Sequence, residues 1–112
     1  MKKIFEVSDM ARKSDGEYVL GSEDLKTHAC YLVYGSLAPL EKGRTLRPGA
    51  GHEEIVCLVS GEVILRGQAG DFMLKAGQAF HLSGEESYTM ENAYPGSSVY
   101  VISGGHSAPH KH

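Results

Sequence analysis

The residues of this chain whose types and spacing can do chemistry are few. His52 and Glu54 stand two apart, so on a strand they share one face. An imidazole and a carboxylate together suit Zn²⁺, Fe²⁺, Ni²⁺ or Mn²⁺, although two ligands alone do not hold a metal. His81 lies between Phe80 and Leu82. If those two fill an interior, His81 points out; if the other face is the interior, it becomes a further ligand candidate. Tyr88, Met90 and Asn92 share one parity, and a tyrosine there can donate or accept a hydrogen bond at the wet end of a pocket. His106, His110 and His112 crowd the C-terminus at spacings that could clip a metal, but residues beyond a last strand are usually solvated. Glu53, Glu85 and Glu86 read as solvated loop charges. The sequence has no glycine-rich phosphate loop, no Cys-x-x-Cys pair and no nucleophile elbow.

The elements that must position these side chains are strands. No window shows strong 3.6-residue periodicity; short β-rich runs instead alternate with glycine-containing turns about every ten residues between Thr27 and Ile102. Residues 1–22 read as an edge strand and a loop, 27–102 as a barrel, and 104–112 as a tail without strand character. Within the barrel, Ile55 to Val59 breaks at Ser60-Gly61 and resumes at Val63, which predicts a hairpin there. Gly67 to Gly70 and Lys75-Ala76-Gly77 predict further turns. The spacing fits an all-β double-sheet jelly roll or small barrel.

Composition bounds the rest. The 112 residues make one domain that buries about two-thirds of its unfolded surface. Hydrophobic residues at 41% and charged ones at 22% exclude disorder. A net charge of −3 argues against a nucleic-acid partner. No apolar run is long enough for a membrane helix or signal peptide. Cys30 and Cys57 sit inside apolar runs, where a free thiol acts as a small hydrophobe, and a reduced, cytoplasmic protein is expected.

The stretch from Gly43 to Ile102 resembles the cupin superfamily, a double-stranded β-helix of jelly-roll topology. Glu54, six residues and Gly61 match the end of the family's first motif, and Leu74 to Phe80 with Asn92 resembles the second. The resemblance implies that His52, Glu54, Tyr88, Met90 and Asn92 line a small-molecule pocket inside the barrel, and that edge strands pair into a homodimer. It also implies a degenerate metal site. The His-x-His positions fall on Pro48 and Ala50, or on Gly49 and Gly51, and the second motif's histidine is replaced by Tyr88. Of four usual ligand positions only Glu54 keeps its residue, with His52 as a substitute and His81 as a third candidate. Two functions follow as expectations. One is a small-molecule-binding protein with a degenerate or non-standard metal site. The other is a metal-dependent isomerase or oxygenase of a small acid, sugar or aromatic compound.

Overall fold

The computed structural model describes residues 3–107. Among the described residues, nine strands form two antiparallel sheets. In chain order they are β1 (Glu17–Leu20), β2 (Cys30–Leu37), β3 (Lys42–Leu46), β4 (His52–Ser60), β5 (Glu62–Gly67), β6 (Gly70–Lys75), β7 (Ala79–Ser83), β8 (Tyr88–Asn92) and β9 (Ser98–His106). The five-stranded sheet has the order β1-β2-β9-β4-β7, and the four-stranded sheet β3-β8-β5-β6. From β2 onward the chain changes sheet at every connection except the β5–β6 hairpin, which is how a jelly roll closes its core between two layers.

Period-two alternation decides what lies between the sheets. Val56 and Leu58 of β4, Val63 and Leu65 of β5, Met90 of β8 and Tyr100 of β9 are all fully buried there. At one end the barrel is stapled shut by Asn92. Its amide donates to the carbonyls of Leu37 (3.2 Å), Ala38 (2.8 Å) and Gly96 (2.9 Å), and its oxygen accepts from the Ser98 hydroxyl at 2.7 Å. We call this the closed end. The opposite end, where β4 begins and β9 finishes, is the mouth.

The structure corrects four expectations. The N-terminal segment holds two short helices, α1 (Val7–Arg12) and α2 (Ser22–Leu25), flanking edge strand β1. Helices of six and four residues are too short to leave a periodic signature. Ser60-Gly61 is a corner rather than a hairpin: β4 pairs with β7 and β9, whereas β5 pairs with β6 and β8. Residues 104–106 are not tail but the end of β9, paired with both β2 and β4. A glycine pair, Gly104-Gly105, disguised that strand. Finally, both cysteines are free and exposed, because Cys57 takes the outward parity of β4. His110 and His112 lie outside the described residues.

Candidate functional site

On the inner face of the five-stranded sheet, Tyr31, Gly104 and Glu54 stand in one line across β2, β9 and β4. The absence of a side chain on Gly104 lets the tyrosine lie across β9; a Cβ there would come within 2.3 Å of the Tyr31 ring. The hydroxyl therefore reaches one strand further and donates to Glu54 Oε2 at 2.6 Å. Burial, then the hydrogen bond to Glu54, push the Tyr31 phenol well above its ordinary range, so it stays a proton donor and Glu54 the acceptor.

Glu54 is only 8% exposed. Its Oε2 is satisfied by Tyr31, no cation lies in ion-pair contact with it, and Oε1 has no hydrogen-bond partner among the described residues. Yet no enclosed side-chain polar atom of the described residues lacks a partner. Oε1 must therefore be reachable from the space it faces. Glu54 borders a cavity of about 550 Å³ at the mouth, together with Val19, Val33 and Pro48 on apolar walls and His28, His52 and His106 at polar points, and a smaller one of about 260 Å³ beside Glu53 and His81. His52 and His106 face each other across the β4–β9 ladder, ring centroids 5.0 Å apart, and His52 meets the Tyr31 ring edge-on at 6.0 Å. His52 Nδ1 lies 3.3 Å from the Ala50 carbonyl oxygen. A carbonyl only accepts, so in this contact Nδ1 is the donor.

Of the residues singled out from sequence, His52 and Glu54 are brought together in this cavity. Tyr88 and Met90 also point inward and are buried in the core, apart from Glu54; Tyr88 in addition borders a second cavity. Tyr88 packs against Phe80 and Phe72 at ring-centroid distances of 5.3 and 6.2 Å, so the second motif's histidine position is filled by an aromatic cluster. Asn92 has its amide committed to three carbonyls at the closed end. His81 takes the outward parity of β7, because Leu82 is fully buried, and it pairs with Glu53 at 2.8 Å on the outer face. Neither joins Glu54. Sequence reasoning missed Tyr31, whose role depends on strand register, and placed His106 in a tail. The larger cavity of about 720 Å³ lies by the β5–β6 hairpin tip and is bordered by Arg66, Asp71, Glu85 and Glu86. Arg66 is already paired there with Asp71 and Glu91, and the buried Tyr88 also borders that groove.

The donor set does not fit a metal of the kind the resemblance implies. Among the described residues no three His, Cys, Asp or Glu side chains are grouped to hold an ion. The one retained ligand position, Glu54, has an oxygen engaged by a phenol instead. A carboxylate, imidazoles and apolar walls can instead hold a small organic molecule.

No protein-family profile matches the chain, and no curated protein matches it in sequence. Solved structures do match it in fold. A cupin protein from Bacteroides fragilis superposes with a TM-score of 0.74 at 11% identity, over 100% of this chain and 87% of that one. An uncharacterised conserved protein with a double-stranded β-helix domain from Klebsiella pneumoniae gives 0.72 at 21% identity, over 94% and 90%. A predicted oxalate decarboxylase from Thermotoga maritima gives 0.67 at 19% identity, over 81% of each chain. With two antiparallel sheets wound as a double-stranded β-helix, this chain has the fold of the cupin superfamily.

Proposed function

We propose that this protein binds a small organic molecule in the barrel mouth, without a metal in the usual cupin position. The observation that carries this reading is the open Glu54 carboxylate, buried and fixed by Tyr31 yet facing a cavity of about 550 Å³. A buried polar group is normally fully hydrogen-bonded, and one left with spare capacity at the edge of a cavity marks a place where a ligand completes the set. His52 and His106 add acceptors or donors according to their protonation.

The test is a thermal-shift screen of small amines, alcohols and carboxylic acids against the wild-type chain and a His52→Trp variant, which fills the mouth. Compounds that stabilise the wild type and lose their effect in His52→Trp support the reading. Equal stabilisation of both proteins places binding elsewhere and overturns it. Metal analysis of untagged protein separates the enzyme reading. Near-stoichiometric transition metal that disappears in both Glu54→Gln and His52→Ala would replace this proposal with a metal-dependent one.

A further inference from the structure

The structure contains the Tyr–Gly–Glu arrangement a second time. Tyr100 of β9, Gly35 of β2 and Glu17 of β1 also stand in one line on the inner face of the same sheet. The Tyr100 ring lies over Gly35, where a Cβ would meet it at 2.2 Å, and its hydroxyl donates to Glu17. This second arrangement has a further member. The Arg44 guanidinium donates to the Tyr100 hydroxyl at 3.0 Å, to the Ser36 carbonyl at 3.0 Å and to the Glu41 carboxylate at 2.7 Å. The Tyr100 phenol thus also accepts from a cation on the facing sheet, which is itself ion-paired with Glu41.

At the mouth the same phenol–carboxylate pair has no such cation. No Lys or Arg borders the cavity, and no ion pair to Glu54 is present among the described residues. A carboxylate withdrawn from water without a countercharge is costly, and the cost falls when a cation enters beside it. Glu54 Oε1, without a partner among the described residues, needs a hydrogen-bond donor. Val19, Val33, Pro48 and the Tyr31 ring give the cavity an apolar side, while Ser22, Thr27, His28, Cys30 and His106 border it as well. From these features we infer that the ligand is a small amine: an ammonium group seated against Glu54, carried on an apolar body that lies along Val33 and Tyr31. This rests on the mouth being a binding site and assigns the chemical class it takes. The ammonium supplies at the mouth the cation that the Tyr100 network has in Arg44, and the face of the Tyr31 ring adds a cation–π contribution.

Benzylamine, benzyl alcohol and benzoate share one apolar body and differ in the charge of the head group. Titrating each to millimolar concentration into ¹⁵N-labelled protein at neutral pH, with shifts followed at Tyr31, His52, Glu54 and Gly104, ranks the three classes. The expected result is saturable movement of these resonances by benzylamine. The alcohol should bind at least tenfold more weakly and the benzoate not measurably. Glu54→Gln should remove the preference for the amine while the protein keeps its dispersed spectrum. If the alcohol or the benzoate moves the same resonances as strongly as the amine, the amine assignment is overturned and the mouth remains a binding site. If none of the three moves them, both the assignment and the site are overturned.

Discussion

The two ends of the β2–β9 ladder use one device to opposite effect. In each, a tyrosine lies over a glycine on the neighbouring strand and donates to a glutamate one strand further on. Tyr100 is fully buried and its network is finished by Arg44 and Glu41, whereas Tyr31 is half-buried and its glutamate faces a cavity. The difference teaches what separates a structural polar network from a site. A network whose every member is satisfied within the chain only specifies the fold. The same network lacking its cation and bordered by open space retains binding capacity.

The largest expected effect comes from adding one methyl group at each glycine. Gly35→Ala forces a Cβ into the enclosed Tyr100 ring, which has nowhere to go, and should cost about 3 kcal/mol, or roughly 15 °C in Tm. Gly104→Ala meets the Tyr31 ring just as closely, but that ring can swing toward the mouth, so the cost should stay near 1 kcal/mol or below. Equal losses in a thermal melt would break the comparison. Next in size is Arg44→Met. It takes the guanidinium from the Tyr100 hydroxyl, the Ser36 carbonyl and Glu41 while keeping the bulk of the side chain, and should destabilise by about 2 kcal/mol in urea unfolding. No loss would mean that the closed end does not need its cation.

The smallest effect is one of pH. Burial, then the hydrogen bond to Glu17, raise the Tyr100 phenol above its ordinary value near 10. The folded state therefore keeps this proton where the unfolded state loses it. The resulting stability is fully present below about pH 10 and is lost as the pH rises beyond it. Tyr100→Phe should flatten that alkaline decline; an unchanged slope between pH 9 and 11 would remove Tyr100 as its source.

Much of the barrel was legible in the sequence because it is written in period-two alternation and turn glycines. Val63, Leu65, Leu74, Leu82 and Met90 announce their faces locally, and so do His52 and Glu54. What could not be read is anything fixed by register between strands distant in the chain. Tyr31 meets Glu54 across a strand that begins 67 residues after it, at Ser98. Nothing in the residues around Tyr31 marks it as different from Tyr34, which takes the outer face. Gly104 read as the start of a tail because glycines are poor strand residues, yet its lack of a side chain is what the Tyr31 crossing requires. Tyr88, Met90 and Asn92 had the right parity, but parity gives a face and not a depth, and they lie in the packed core or at the stapled end.

The central claim, that the Tyr100 phenol sits in a network closed by Arg44 and the Tyr31 phenol in one that no cation joins, is tested most directly by neutralising each carboxylate and measuring Tm without added ligand. Glutamine keeps the shape and can still accept from either tyrosine. Glu17→Gln should lower Tm by roughly 5 °C, corresponding to about 1 kcal/mol of charge-assisted hydrogen bonding. Glu54→Gln should leave Tm unchanged or raise it, because it removes a buried charge that has no cation beside it. A fall in Glu54→Gln as large as that in Glu17→Gln would contradict the account, since Glu54 would then be part of the structure's own support and not held open for a ligand.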